Sequence, residues 1–221
     1  MKKFAVIVAG GSGTRMKSST PKQFLLLHGK PLLWYTIQAF LQAYNDMQII
    51  LVLPAAHIHS EIMQSLLNER IMTTAGGETR FHSVQNGLKL VERNSLVFVH
   101  DGVRCLISPD LIRRCGEQAE KCGSAIPAVT ATDSLRIEVN RKHTVIDRQA
   151  VRLIQTPQTF RSEIIIPAFE QPYSEAFTDE ATVVEAIGKE VCLIEGEYEN
   201  IKVTRPADLL FAEYILQMRA S

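Results

Sequence analysis

No apolar run in this 221-residue chain approaches the ~20 residues that a membrane-spanning helix needs. Charge of neither sign is in surplus, since Lys+Arg and Asp+Glu both number 24. That balance removes any global attraction to nucleic acid or to an anionic membrane, so cations that bind phosphate must be local. The four cysteines, Cys105, Cys115, Cys122 and Cys192, form no C-x-x-C pair, and no histidines cluster at zinc spacing. A reducing, cytoplasmic compartment is the simplest expectation. Lys2-Lys3 precede an apolar run that is too short for a signal peptide and is better used as a core strand. Internal repeats and low-complexity tracts are absent. With 46% hydrophobic and 22% charged residues, the chain is expected to fold as one generous domain, 1–221.

What is there starts at once. Phe4-Ala5-Val6-Ile7-Val8-Ala9 reads as a strand buried on both faces, and it opens directly into Gly10-Gly11-Ser12-Gly13-Thr14-Arg15-Met16. Glycines there let the backbone turn tightly and bring its N–H groups close to an anion. Arg15 and Lys22 add two permanent cations nearby, and together these features describe a site for a triphosphate. Two better-known loops are excluded by spelling. A dinucleotide fingerprint counted from Gly11 needs glycine where Met16 stands, and no glycine has the glycine-lysine partner of a Walker loop.

Strand-like and helix-like segments then alternate, which argues for a mostly parallel sheet with helices on both faces. Strands are expected at Gln48 to Leu53, Ile71 to Thr74, Leu96 to His100, Ser124 to Thr130, Val191 to Ile194 and Ile201 to Val203. Helices are expected after Pro31, over Ile58 to Leu67, Phe81 to Val91 and Pro109 to Lys121, and from Pro206. Thr178 is the expected N-cap of another helix, with Asp179 and Glu180 in its first turn. The segment 132–154 breaks the rhythm. Leu135 to Val139 alternates apolar and charged residues, and Asn140-Arg141-Lys142-His143 can turn it back into Thr144-Val145-Ile146. That reads as a projecting β-hairpin, and because such a hairpin is marginal alone it is expected to pack on a second subunit.

In open α/β sheets ligands collect at the carboxyl ends of strands. Three unusual stretches fall at such ends: Gly10 to Arg15, Gly76 to Arg80 and Asp101 to Arg104. Asp101 is placed to hold Mg²⁺ against triphosphate oxygens, or else to cap a turn. Cys105 lacks a partnered base and reads as a small packed residue. The His57-x-His59 pair, without further ligands, reads as solvated. Lys202 alternates with Ile201 and Val203, so it either enters the site or lies on a solvated face. Arg148, beside Asp147, is either functional or one half of an exposed ion pair.

The stretches A-G-G-S-G-T-R-M, P-K-Q-F, G-G-E-T-R, H-D-G-V-R, I-D-R, Q-T-P-Q-T-F, T-D-E-A and N-I-K-V-T-R-P resemble, in order and near spacing, those of the 2-C-methyl-D-erythritol 4-phosphate cytidylyltransferase family. The likeness covers almost the whole chain. It implies an α/β, Rossmann-like sheet of the nucleotide-diphospho-sugar transferase type, with a protruding β-arm used in dimerisation. It implies a reaction of CTP with 2-C-methyl-D-erythritol 4-phosphate that releases pyrophosphate with Mg²⁺. It assigns Arg15 and Lys22 to the CTP phosphates, Arg148 and Lys202 to positioning the methylerythritol phosphate, and Asp101 to the metal. Ala9, Gly10, Gly11, Gly77 and Ser83 would line the cytidine side, and Arg104, Ser134 and Thr156 the polyol phosphate side. Departures are Gly102-Val103-Arg104-Cys105, where the family commonly has Ala-Ala-Arg-Pro, and Glu199, where some relatives carry Asp and a second metal carboxylate could stand. A cytidylyltransferase for ribitol 5-phosphate, a non-catalytic CTP sensor and, more weakly, an NAD-linked dehydrogenase remain the rival expectations.

Overall fold

The computed structural model describes residues 1–10 and 21–220, so Gly11 and Arg15 lie outside the described residues. In chain order the first half comprises β1 (Lys2–Val8), β2 (Leu26–Leu27), β3 (Lys30–Pro31), α1 (Leu32–Ala43), β4 (Met47–Leu53), α2 (Glu61–Gln64), β5 (Ile71–Ala75), α3 (Arg80–Leu88) and β6 (Ser95–Asp101). The second half comprises α4 (Pro109–Cys122), β7 (Ser124–Thr130), β8 (Leu135–Val139), β9 (Lys142–Ile146), β10 (Arg152–Ile154), β11 (Gln158–Arg161), α5 (Ser162–Ala168), α6 (Glu180–Glu185), β12 (Leu193–Glu195) and α7 (Pro206–Ala220).

β1 lies between β4 and β6, with β5 beyond β4, and all four run parallel. β11 pairs antiparallel with both β6 and β7, β10 antiparallel with β7, and β12 parallel with β7. The mostly parallel sheet read from the sequence is therefore the one observed. Strict alternation explains why the apolar runs are unbroken. Ala5, Ile7, Ile49, Leu51, Leu96 and Phe98 face one layer, holding Ile37 and Phe40 of α1 and Leu111 and Cys115 of α4. Their neighbours Phe4, Val6, Ile50, Val52, Val97 and Val99 face the other, holding Val84 of α3, Ile165 of α5 and Val184 of α6. Each buried Val, Leu, Ile or Phe among them contributes roughly 1.5–3 kcal/mol. Helix α3 lies so close that a Cβ at Gly87 would come within 2.5 Å of Val6 Cγ1, a packing only glycine permits. A third cluster, including Leu27, Leu32, Leu106 and Ala212, seats α7.

β8 and β9 form a separate hairpin with a two-residue turn. Asn140 and Arg141 both have positive φ (51° and 64°), as turns matched to strand twist require. Ile137 and Val139 are 54% and 61% exposed, and Val145, paired with Arg136 on the opposite face, is 64% exposed. Arg152–Ile154, at the end of the expected 132–154 arm, belongs instead to the main sheet through its pairing with Ala128 to Thr130.

Several boundaries differ from the sequence reading. Within Ile58 to Leu67 only Glu61–Gln64 is α-helical, capped by the Ser60 hydroxyl, which accepts from Met63 N. Asp179, not Thr178, caps α6, because its carboxylate side chain accepts from Thr182 N while the Thr182 hydroxyl completes a capping box. Ile201 to Val203 is not a strand: Val203 N donates to Val103 O at 3.1 Å, but no ladder follows.

Candidate active site

The register of the sheet ends β1, β4 and β6 together, with Val8 opposite both Val52 and Asp101. Backbone bonds then lead each strand off the edge: Ala9 N to Val52 O at 2.8 Å, Gly76 N to Leu53 O at 2.7 Å and Gly102 N to Val8 O at 2.9 Å. This is where ligands bind in such sheets.

On one side lie the residues expected to meet cytidine. Ser83 Oγ accepts from Gly77 N at 3.1 Å and donates to Thr79 O at 2.9 Å. A Cβ at Gly77 would come within 2.4 Å of His82 Cβ, and one at Gly10 would lie 3.8 Å from Ser83 Oγ. Gly10, Gly77 and Ser83 therefore share one small space. Ala9 is fixed beside them by Gln23, whose Nε2 donates to Ala9 O at 2.6 Å. Gln23, buried in the P-K-Q-F stretch, was not singled out from sequence; it ties the two described ends of the first loop together.

Next to that space is a knot of charge around Asp101. Lys202 Nζ stands 2.9 Å from Asp101 Oδ2, Arg104 Nε 3.6 Å from the same oxygen, and Arg80 Nε 3.3 Å from Oδ1. Arg80 also pairs with Glu180, through Nη1 to Oε1 and through Nη2 to Oε2 at 3.2 Å. Burial works to raise the Asp101 carboxyl pKa, but Arg80, Lys202 and Arg104 overcome it and hold the group well below the usual carboxylate range. Burial likewise works to lower the Arg80 pKa, and Glu180 with Asp101 reverses it to above the ordinary value. The sequence offered Asp101, Arg104 and Lys202 for the site. It did not single out Arg80, although the G-G-E-T-R stretch contains it, and read Glu180 only as a helix-dipole residue.

Asp101 is also held through its backbone. Its N–H donates to Thr156 Oγ1 at 3.1 Å, and Thr156 Oγ1 lies 3.0 Å from His100 Nδ1. His100 Nε2 lies 3.3 Å from Arg104 O, which can only accept, so the proton sits on Nε2 and Nδ1 accepts from the threonine. The Thr156 hydroxyl thus donates to His100 Nδ1 and accepts from Asp101 N, and its side chain positions Asp101. Burial lowers the His100 pKa to about 3, against the opposing pull of Asp101. The unfolded chain then binds the extra proton between about pH 6.5 and pH 3, so this contribution to stability is complete above pH 6.5 and is lost as pH falls. In urea titrations from pH 6.5 to 4.5 the parent should lose roughly 1.4 kcal/mol per pH unit more than His100→Gln. Equal slopes would show that His100 is not buried neutral.

Lys22 Nζ donates to Val203 O at 3.2 Å, which sets it beside the segment carrying Lys202. Arg104 Nη1 donates to Asn200 O at 2.7 Å, fixing the same segment from the other side. Arg148 and Ser134 are exposed at the base of the hairpin, and Arg148 Nη1 donates to Thr132 O at 2.8 Å. Neither meets the Asp101 knot among the described residues. Glu199, where a second metal carboxylate could stand, pairs through Oε2 with Arg219 Nη2 at 2.7 Å. Cys105 is buried, and burial pushes its thiol pKa up to about 12, as befits a packed residue rather than a nucleophile. No group of three or more His, Cys, Asp or Glu able to hold a metal occurs among the described residues.

A mostly parallel α/β sheet whose carboxyl edge gathers a glycine turn, two carboxylates and several cations suits the handling of nucleotide phosphates, and the comparisons place the chain among nucleotidyltransferases. The family model described as IspD, 2-C-methyl-D-erythritol 4-phosphate cytidylyltransferase, matches residues 4–218. The chain belongs to that family. It is 43% identical over 221 residues to the 2-C-methyl-D-erythritol 4-phosphate cytidylyltransferase of Phocaeicola vulgatus, covering 98% of this chain and 100% of that one. With the protein of the same name from Azobacteroides pseudotrichonymphae it shares 46% over 220 residues, covering 97% and 98%. The crystal structure of the Thermus thermophilus protein of that name superposes with a TM-score of 0.80 at 30% identity, covering 98% of this chain and 100% of that one.

Proposed function

We propose that this protein joins CTP to 2-C-methyl-D-erythritol 4-phosphate, giving 4-diphosphocytidyl-2-C-methyl-D-erythritol and pyrophosphate. The carrying observation is the set of three cations within 3.6 Å of one carboxylate, at the sheet edge where the glycine turns meet. The obstacle to this reaction is electrostatic, because one phosphate anion must attack the α-phosphorus of another. No strong general base is needed, since the attacking phosphate is already ionised. Lys22, with Arg15 from the first loop, stabilises charge on the CTP phosphates and the departing pyrophosphate. Lys202 and Arg148 hold the attacking phosphate in line, with Arg104 and Ser134 beside it. Ala9, Gly10, Gly11, Gly77 and Ser83 receive the cytidine.

The donor set fits Mg²⁺ that arrives with nucleotide. Magnesium takes one or two carboxylates plus substrate phosphates, and Asp101 supplies one. Three cations against two carboxylates leave the knot with excess positive charge, so the metal is retained only when phosphate is present. Bound there, Mg²⁺ would supply charge neutralisation at the phosphate oxygens. Thr156 stands on the polyol phosphate side, where its hydroxyl also holds Asp101 still.

The exposed apolar residues on both faces of the β8–β9 hairpin support a homodimer built through this arm, with Arg148 of one subunit serving the site of the other. Mixing Arg148→Ala with Lys22→Ala subunits should restore part of the activity; no recovery after verified exchange removes the sharing. We place the protein in the cytoplasm, where its four free thiols stay reduced. The direct test is pyrophosphate release from CTP and Mg²⁺ with methylerythritol phosphate, with ribitol 5-phosphate, or with neither. Release with the first alone is expected. Equal release with ribitol 5-phosphate would contradict the substrate, and no release with either would favour a CTP-binding protein without catalysis.

A further inference from the structure

Lys202 acts from a segment with no ladder to steady it, since Ile201 to Val203 forms no strand. An ammonium on a flexible four-carbon stem reaches its target only as accurately as its backbone is held. Two buried amides hold it. Gln155, only 6% exposed, is anchored on the main sheet, where its own N–H donates to Pro127 O at 2.8 Å. Its Nε2 donates to Glu197 O at 2.7 Å, and its Oε1 accepts from Glu197 N at 3.1 Å. That pair of bonds copies what a neighbouring strand would supply. Gly196 makes the approach possible, because a Cβ there would come within 2.5 Å of Gln155 Oε1. Asn200, fully buried, carries the anchorage onward. Its N–H donates to Glu197 O at 3.0 Å, and its Nδ2 donates to Thr156 O at 2.8 Å and to Gln155 Oε1 at 3.4 Å. Lys202 follows two residues later, and its Nζ meets Asp101 Oδ2 at 2.9 Å.

We propose that Gln155, acting through Asn200, is a positioning residue that sets where Lys202 meets the attacking phosphate. The proposal rests on Lys202 holding that phosphate, as read above. Buried polar networks fix one arrangement of the chain, and a misplacement of about 1 Å can cost on the order of a hundredfold in rate.

The test is a double-variant cycle on kcat/KM for 2-C-methyl-D-erythritol 4-phosphate at saturating CTP. Gln155→Ala alone should lose about ten- to a hundredfold and leave KM for CTP unchanged. In a Lys202→Ala background the same substitution should cost no more than about twofold, because the residue it serves is gone. A comparable factor in both backgrounds overturns the proposal, since Gln155 would then act on stability or on another group. So does parent-like turnover by Gln155→Ala. Where that variant does not fold, Asn200→Ser carries the same cycle with the same two outcomes. A Lys202→Ala protein as active as the parent defeats instead the role of Lys202 beneath the proposal.

Discussion

Lys22→Ala should fold like the parent and lose on the order of a hundred- to a thousandfold in turnover. The ammonium is half-buried beside the sheet edge and donates to Val203 O at 3.2 Å. Losing a bond from a charged donor costs about 1.5–3 kcal/mol of stability. The loss of a cation that meets charge developing on the phosphates is larger, because preorganised donors at a site shielded from water need no rearrangement as the reaction proceeds. KM for CTP should change less than kcat, since the charge is greatest in the transition state. Pyrophosphate release and thermal unfolding, measured together, check both halves. Turnover like the parent's would refute the role of Lys22.

Asp101→Asn should be the most damaging substitution on the acidic side. It removes the one carboxylate on which Lys202, Arg104 and Arg80 converge, leaving positive charges close together with a single counter-ion, Glu180. Breaking a buried ion pair from one side costs about 3 kcal/mol or more. Because the Asp101 pKa is depressed in the folded state, its contribution is fully present above about pH 4 and is lost as pH falls further. The variant should therefore be less stable than the parent at pH 7, with the gap beginning to narrow only below about pH 4. Activity should fall by about a thousandfold, through loss of the metal carboxylate and disorder of the Lys202 segment together. Unfolding midpoints at pH 7 and pH 3 check the first claim. A variant as stable and as active as the parent would end the account of the knot.

The fold was legible because its central strands are buried on both faces and appear as unbroken apolar runs. Phe4 to Val8, Ile49 to Leu53 and Leu96 to Val99 cannot be read as anything exposed. The hairpin was legible for the opposite reason, since Leu135 to Val139 alternates. Short elements were not: Ile201 to Val203 has strand composition but no neighbour to bond, and a pattern in one segment says nothing about its partner. In the site, Asp101, Arg104 and Lys202 stood out because charge at the end of an apolar strand, or alternating within one, is unusual. Arg80 and Glu180 are 100 positions apart, so only the tertiary structure brings them together. His100 was hidden likewise, and Thr156 entered only through the family resemblance, on the polyol phosphate side. A buried relay through a hydroxyl and a neutral imidazole leaves no spacing signature.

The central claim is that Lys22 and the Asp101 knot face the innermost phosphates of CTP across the edge formed by β1 and β6. A crystal structure of the protein with CTP and Mg²⁺ measures this directly. The account predicts the α-phosphate within hydrogen-bonding reach of Lys22 and the metal on Asp101. A triphosphate bound with Lys22 and Asp101 both turned away from it would contradict the account.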